Sequence, residues 1–243
     1  MPFIDQVLDI LGGKKYFSFL DGFSGYNQIQ IAPEDQDKTM FTCPWGTFAY
    51  QVLPFGLCNA PTTFQKAILG IFSDLINDSV EIYMDDFTPY GDLFMEGLKN
   101  LEKVLARCIQ AHISLSTVKC HKMMEEGIFL GHLLLFEGIR MDPANIQVIL
   151  HFQPPKMVTH VCSFIGCAGY YRRSIENFAK VAHPLFQLLT KDSEFVWSKD
   201  YDVAFTEIKE LVCSAPIFRG SNWSLPLHIH MDASQIEVGA VLG

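Results

Sequence analysis

The chain has 243 residues, of which 49% are hydrophobic and 19% are charged, so it is long enough to bury a core and too apolar to be disordered. Its net charge of −9 argues against a general nucleic-acid binder with a broad basic surface, although a local basic groove stays compatible with it. No apolar run reaches the roughly 18 residues of a membrane helix, and the first residues lack the basic lead of a signal peptide. Seven cysteines without a C-x-x-C pair suit a reduced protein. We therefore predict an intracellular protein, in the cytoplasm or nucleus, with no membrane partner.

Strand-like patterns come first in the chain. A buried aromatic run ends at Asp21-Gly22, and a strong turn signal stands at Pro44-Trp45-Gly46. The apolar and alternating runs around these turns predict four strands, at Tyr16–Leu20, Asn27–Ile31, Thr39–Cys43 and Thr47–Leu53.

Helical and hairpin patterns alternate in the next part. Asn59 and Pro61 are typical of a helix start, with Asn59 as the N-cap residue. Alternation over residues 79–90 and 128–141 predicts two β-hairpins, and an amphipathic helix over 98–109 lies between them. Strands and helices arranged in this way predict an α+β fold.

The pattern changes near residue 142 and again near 220. Asp142-Pro143 is a helix-start signal, and further helices are predicted over 159–171 and 198–213. Residues 222–227 are predicted to form a loop, and the run Leu227–Asp232 is predicted to be a strand that begins another unit.

Two adjacent carboxylates at the tip of the first hairpin are the main chemical signal. They lie in Tyr83-Met84-Asp85-Asp86, and two unit charges about 4 Å apart repel by about 4 kcal/mol at an effective dielectric constant of about 20. Such a pair is either well solvated or holds a cation, and hard carboxylate oxygens suit Mg²⁺. Asp21 ends a neighbouring apolar strand, so that three carboxylates could share two metal ions. A solvated turn at Asp85-Asp86 and a capping role for Asp21 are the alternatives.

Several motifs, in one order, carry a resemblance to a known family. They are Phe19-Leu20-Asp21-Gly22-Phe23-Ser24-Gly25-Tyr26, Leu53-Pro54-Phe55-Gly56-Leu57, Tyr83-Met84-Asp85-Asp86, Phe129-Leu130-Gly131-His132 and Ala168-Gly169-Tyr170-Tyr171-Arg172-Arg173. Taken together, these motifs make the chain resemble the reverse transcriptases of long-terminal-repeat retrotransposons. Their amino-acid sequences are most similar to those of the Ty3/gypsy class and its plant members.

The resemblance implies roles for the acidic residues. Asp21, Asp85 and Asp86 match the carboxylates that hold two Mg²⁺ ions, with Mn²⁺ as a substitute, and Lys119 matches a lysine that protonates or orients the leaving pyrophosphate. A plain surface lysine is the alternative for Lys119. By this resemblance the chain is an enzyme, an RNA-directed DNA polymerase.

The resemblance also implies a nucleotide site. The backbone at Ser24 and Gly25 matches the segment that faces the triphosphate of a deoxynucleotide. Tyr26 matches the aromatic side chain beneath the sugar, for which a core aromatic is the alternative, and Phe55 and Gly56 match the segment that touches nucleotide and template.

The implied architecture has three parts. Residues 1–141 match a polymerase palm with partial fingers, residues 142–220 a helical thumb and connection, and residues 221–243 the truncated start of a ribonuclease H-like domain that contains Asp232. The implied partners are an RNA or DNA template with its primer and deoxynucleoside triphosphates, and the turn at Phe129–His132 matches the part that grips the primer end.

Some features depart from the family pattern. Pro89 lies in the strand that leaves the catalytic hairpin, Ser116 replaces a usual asparagine, and Ser174 replaces an aromatic residue. The chain also begins in the middle of the corresponding polymerase. An inactive retrotransposon remnant that binds nucleic acid weakly is therefore the alternative.

Overall fold

A computed structural model describes residues 2–190, 195–219, 229–233 and 238–242 of the chain. These residues form two compact units: one holds the residues up to Gly127 and those from Arg219 onward, and the other is Ile128–Phe218. Antiparallel sheets and helices make up both, which confirms the predicted α+β class. The predicted boundaries at 142 and 221 concern functional parts and stay predictions.

The elements have the following bounds. The helices are α1 (Ile4–Leu11), α2 (Pro33–Gln36), α3 (Ala60–Ile71), α4 (Phe94–Gln110), α5 (Pro143–His151), α6 (Val158–Tyr170), α7 (Phe178–Gln187) and α8 (Lys199–Cys213). The strands are β1 (Tyr16–Asp21), β2 (Phe41–Cys43), β3 (Gly46–Phe48), β4 (Val80–Tyr83), β5 (Asp86–Gly91), β6 (His121–Met124), β7 (Gly127–Phe129), β8 (His132–Leu135), β9 (Gly138–Met141), β10 (Ile229–Ala233) and β11 (Val238–Leu242).

A four-stranded antiparallel sheet in the order β4-β5-β1-β6 organises the first unit. In the register between β1 and β5, Leu20 lies opposite Phe87 and Asp21 lies opposite Asp86. Successive side chains of a strand point to opposite faces, so the apolar pair and the acidic pair lie on opposite faces of the sheet. The hydrophobic core therefore lies on one face of the sheet, and the acidic residues of the candidate site lie on the other.

The apolar face of this sheet is covered by α3 and α4. Phe64, Ile68 and Phe72 of α3 and Leu101 and Val104 of α4 are buried in one cluster with the strand residues. Each such side chain stabilises the fold by roughly 1.5–3 kcal/mol when it leaves water. The apolar stripe predicted for α3 is confirmed.

Pro89 lies in an internal strand of this sheet, because β5 has β4 on one side and β1 on the other. The N–H of Tyr90 donates to the carbonyl of Ser79, the residue before β4 (3.2 Å), so the nitrogen of Pro89, one residue earlier, faces β1. The pairs Phe17–Tyr90 and Leu20–Phe87 lie on either side of it and keep the register. The sheet therefore accommodates a proline, which cannot donate to the ladder.

The second unit has a core of its own. The turn-connected strands β7, β8 and β9 form a three-stranded sheet, and α5, α6, α7 and α8 share a cluster that includes Phe164, Ile208 and Leu185. Ile139 and Phe218 exchange two backbone hydrogen bonds (2.5 and 2.8 Å). The first and last segments of this unit are therefore joined directly.

The predicted start of α5 is confirmed, whereas the capping role predicted at the start of α3 is wrong. The Asp142 carboxylate accepts a hydrogen bond from the N–H of Ala144 (2.9 Å), which confirms the predicted helix start. Asn59 occupies the N-cap position of α3, but its side chain makes no capping hydrogen bond. Its predicted capping role is wrong because the residue has helical backbone angles (φ −93°, ψ −2°), whereas a capping side chain needs an extended backbone.

One predicted strand is wrong, and the helices α1, α2 and α7 were not predicted. Residues Gly25–Gln28 form a 3₁₀ helix where the alternation of Asn27–Ile31 predicted a strand, because Ser24 adopts a left-handed conformation (φ 50°) that turns the chain. Helix α7 contains Pro184, which is an unfavourable signal inside a helix. Burial of Ala182 and Leu185 in the core outweighs it.

The last predicted part is described only in pieces. The predicted loop at 222–227 lies outside the described residues, and so do residues 227 and 228 of the predicted strand. The strand itself is present as β10, paired with β11. Along the part of the chain that the structure describes, no helix has the length and apolar character needed to cross a membrane.

Candidate active site

The hairpin of β4 and β5 presents the two adjacent carboxylates at its tip. Tyr83 pairs with Asp86, so that Met84 and Asp85 form the turn between the strands. Met84 has a left-handed backbone (φ 55°), a conformation that costs a non-glycine residue energy and persists only when its surroundings hold it.

Gln65 of α3 holds this turn from beneath. Its amide oxygen accepts a hydrogen bond from the N–H of Met84 (2.5 Å), and its amide nitrogen donates to the carbonyl of Ile82 (3.4 Å). Gln65 is buried, with 1% of its surface exposed. We did not predict this residue from the sequence; the only signal was a polar side chain next to the apolar stripe of α3.

Asp21 reaches the same end of the sheet from β1. It lies opposite Asp86 in the ladder, and the next residue, Gly22, donates its N–H to the carbonyl of Asp85 (2.8 Å). A β-carbon on Gly22 or Gly25 would lie 3.3 or 3.1 Å from the β-carbon of Asp85. The chain thus passes the hairpin tip closely, and a side chain at either position would require Asp85 to shift by a few tenths of an ångström.

The electrostatics of this end favour a cation. The pKa of the Asp86 carboxyl is raised to about 6, first by burial and then by the charges of Asp85 and Asp21, and the charge of Lys119 opposes this shift. The charges of Asp21 and Asp85 are therefore near enough to oppose the ionisation of Asp86. A bound divalent cation would relieve this repulsion.

The donor set fits a divalent metal ion, although its side chains are not drawn together around one point. Asp21, Asp85 and Asp86 are hard oxygen donors, and Mg²⁺ needs only one or two carboxylates and completes its shell with water and phosphate. Within the described ranges, no group of three or more His, Cys, Asp or Glu side chains has the arrangement of a ready-made metal site. Like charges without a counterion repel each other, and the backbone nevertheless places Asp21 of β1 directly opposite Asp86 of β5.

Lys119 contacts Asp21 directly. Its ammonium nitrogen lies 3.2 Å from a carboxylate oxygen of Asp21, and 68% of the lysine side chain is exposed. The loop that carries it is tied to β1, since the N–H of Ser116 donates to the carbonyl of Asp21 (2.8 Å). The predicted lysine thus lies beside the predicted carboxylates, and its exposure leaves it accessible to a ligand.

The predicted nucleotide residues lie next to this group. Gly25 is buried against Asp85, and Ser24 precedes it in a left-handed conformation. The half-buried ring of Tyr26 packs against Phe55 at a centroid distance of 4.8 Å. Burial, and then the charge of Asp85, raise the pKa of Tyr26.

Both interpretations of Tyr26 have support in its contacts. One edge of its ring packs on the core residue Phe64 (5.3 Å), as expected for a core aromatic. The ring also contacts Phe55, of which 69% is exposed. Gly56 follows with φ 99°, a value that favours glycine.

A comparison with protein families identifies the chain. Residues 2–134 match the family model described as "Reverse transcriptase (RNA-dependent DNA polymerase)". The chain belongs to the reverse transcriptase family. Members of this family generally use divalent metal ions, which agrees with the acidic cluster.

The relatives of this reverse transcriptase are retrotransposon polyproteins. The chain is 32% identical over its full length to the Retrovirus-related Pol polyprotein from transposon 297 of Drosophila melanogaster, of which it covers 23%. It spans about a fifth to a quarter of the length of the first curated relatives it matches. The chain thus corresponds to the reverse transcriptase domain of long-terminal-repeat retrotransposon polyproteins.

Solved structures of foamy viral protease-reverse transcriptase have the same fold. The form in complex with double-stranded DNA has a TM-score of 0.86 at 23% identity, and the match covers 96% of this chain and 41% of that one. The form in complex with an RNA/DNA hybrid has a TM-score of 0.82 at 24% identity, with 93% and 31% covered. These likenesses confirm the predicted palm fold.

Proposed function

We propose that this chain is the polymerase core of a retrotransposon reverse transcriptase, which extends a primer on an RNA or DNA template with deoxynucleoside triphosphates. The observation that carries the proposal is the meeting of Asp21, Asp85 and Asp86 at one end of the sheet, beside Lys119. Family membership supports the reaction type. The short span of the chain relative to its relatives makes the activity of the whole protein part of the proposal.

Asp21, Asp85 and Asp86 would hold two Mg²⁺ ions, with Mn²⁺ as a substitute. When bound, the ions would lower the pKa of the attacking primer 3′-hydroxyl and neutralise charge on the leaving pyrophosphate. The carboxylates themselves orient the reacting groups, and most of the catalytic effect of such sites comes from positioning and charge stabilisation.

The other predicted residues would bind the nucleotide. The left-handed Ser24 followed by the 3₁₀ turn at Gly25 directs successive backbone N–H groups to one side, a geometry that suits phosphate oxygens. Tyr26 supplies a ring beneath the sugar, and the exposed Phe55 with Gly56 supplies a contact for base and template. Lys119 would place a proton donor near the pyrophosphate.

The nucleic-acid partners and the retrotransposon class are also part of this proposal. Solved structures with this fold hold double-stranded DNA or an RNA/DNA hybrid, which supports a primer–template duplex here, with the turn at Phe129–His132 against the primer end. The amino-acid sequences of the motifs support the Ty3/gypsy class and a plant-like origin. An intracellular location suits seven cysteines that are all free thiols.

The second candidate is an inactive remnant that binds nucleic acid weakly. The departures from the family pattern at Ser116 and Ser174 favour it. The two candidates differ in turnover.

Primer extension separates the candidates. The chain is incubated with an RNA template, a DNA primer, deoxynucleotides and Mg²⁺ or Mn²⁺, beside the matched variant Asp85→Asn. We expect extension by the wild-type chain and a loss of at least about 100-fold in the variant, since a metal ligand is removed. Equal signals from the two proteins would leave only the remnant.

A further inference from the structure

The turn between β7 and β8 has an unusual backbone. Leu130 and Gly131 both have left-handed conformations, with φ values of 47° and 68°. Two such residues in succession form the tight hairpin turn in which both central residues have positive φ, and glycine, asparagine or aspartate usually occupies it. A leucine at the first position needs support from its surroundings.

Two tyrosine hydroxyls provide this support. At the end of α6, Tyr170 donates to the carbonyl of Leu130 (2.8 Å) and Tyr171 donates to the carbonyl of Gly131 (2.8 Å). The side-chain amide of Asn145 on α5 donates to the hydroxyl oxygen of Tyr171 (2.7 Å). Both carbonyls of the turn are thus held by the two tyrosines at the end of α6, and Asn145 of α5 holds the second tyrosine.

The packing around the turn leaves it little freedom. His132 is largely buried, its Nδ1 lies 2.8 Å from the carbonyl oxygen of Leu130, and its ring centroid lies 5.5 Å from that of Tyr170 and 5.2 Å from that of Tyr171. A β-carbon on Gly131 would lie 3.1 Å from both the Asn145 amide and the Tyr171 hydroxyl. Burial raises the pKa of Tyr171 to about 12, so its hydroxyl remains a donor near neutral pH.

We propose that Tyr170, Tyr171 and Asn145 are positioning residues that hold the Leu130-Gly131 turn and thereby the primer end. The inference rests on the proposed function, in which this turn lies against the primer. The tyrosines act through the backbone of the turn. A structural role alone would require only their rings, whereas positioning requires their hydroxyls.

Tyr170→Phe and Tyr171→Phe test the proposal, since each removes a hydroxyl and keeps the ring. In steady-state primer extension we expect KM for primer–template to rise about 5- to 10-fold in each single variant and further in the double variant. KM for the deoxynucleotide should stay within about 2-fold of the wild-type value. Tyr201→Phe, a partly buried tyrosine of the same unit, is the matched control and should change neither.

Amide hydrogen exchange tests the same proposal without catalysis. We expect the amides of residues 129–132 to exchange at least about 10-fold faster in the double variant than in the wild type, with no such change in Tyr201→Phe. Unchanged exchange, or an unchanged KM for primer–template in an active enzyme, overturns the positioning role. A wild-type chain without extension activity whose turn still loosens in the double variant retains the holding role and refutes the polymerase proposal.

Discussion

At the scale of single residues, the candidate site depends on a glutamine that carries none of the expected chemistry. Gln65 bonds to the backbone of Met84 in the turn between β4 and β5 and to that of Ile82 in β4. Met84 remains in its left-handed conformation because this buried side chain satisfies its N–H. The orientation of the two carboxylates that follow therefore depends on a residue of α3.

Gln65→Leu should misplace the carboxylates that we propose to be catalytic. The leucine fills a similar volume but leaves the N–H of Met84 without its acceptor, which costs about 1–3 kcal/mol of folding free energy. Because small displacements of catalytic groups reduce rate strongly, kcat for primer extension should fall about 10- to 100-fold. Urea unfolding and single-nucleotide extension measure the two effects.

The exposed Gln110, at the end of α4, provides the matched control. Gln110→Leu should leave both stability and kcat near the wild-type values. A Gln65→Leu protein with wild-type kcat would show that the turn holds itself.

At the scale of elements, the β4–β5 hairpin places polar groups within the sheet. Glu81 is 3% exposed and lies opposite Thr88 in the ladder. Its carboxylate accepts a hydrogen bond from the N–H of Asn77 (3.1 Å), while the Thr88 hydroxyl has no hydrogen-bond partner among the described residues. Burial raises the pKa of Glu81 to about 7, and the bond from Asn77 opposes this.

This burial should make stability fall as pH rises. The pKa of Glu81 is higher in the folded chain, about 7, than its ordinary value of 4.5, so folding favours the protonated form. The contribution of Glu81 to the free energy of unfolding is fully present below about pH 4.5 and is lost as the pH rises to about 7. Glu81→Gln keeps an acceptor for Asn77 without the charge, and should raise the unfolding free energy at pH 8 by on the order of 2 kcal/mol.

Urea unfolding at pH 5 and pH 8 measures this effect. The advantage of Glu81→Gln over the wild type should be much larger at pH 8, whereas the exposed Glu125→Gln should show none at either pH. An equal difference at both pH values would mean that the substitution acts through packing and not through charge.

At the scale of the whole molecule, the chain divides into two units with separate cores. The second unit begins at Ile128, within β7, and ends at Phe218, which pairs with Ile139. Leu134, Ile139 and Met141 of β8 and β9 are buried. The small sheet therefore belongs physically with the helices that follow it.

A fragment of residues 128–218 should fold alone, because it retains its core and its closing strand pair. We expect helical circular dichroism and one cooperative thermal transition. A fragment of residues 142–218, which begins at the predicted thumb boundary, lacks β7, β8 and β9 and should unfold non-cooperatively or at a much lower temperature. Equal melting of the two fragments would show that the sheet contributes nothing to this unit.

The sequence by itself determined the family and the fold class, and it predicted the group of carboxylates. These follow from local information: apolar periodicity predicted β1, the β4–β5 hairpin and α3, and short motifs pointed to Asp21, Asp85 and Asp86. Predictions failed where local preference and the surrounding structure disagree. Alternation at Asn27–Ile31 predicted a strand, but the left-handed Ser24 forms a turn there, and Pro184 concealed a helix that is held by burial.

Only the tertiary structure decided which distant residues support the site. Gln65 lies 19 positions from Met84, and Tyr170 and Tyr171 lie 40 positions from the turn they hold. Hydrogen bonds between elements depend on how the elements pack, and packing is set by contacts that no local pattern encodes. The sequence therefore predicted the groups that carry charge, and the fold determined the groups that hold them in place.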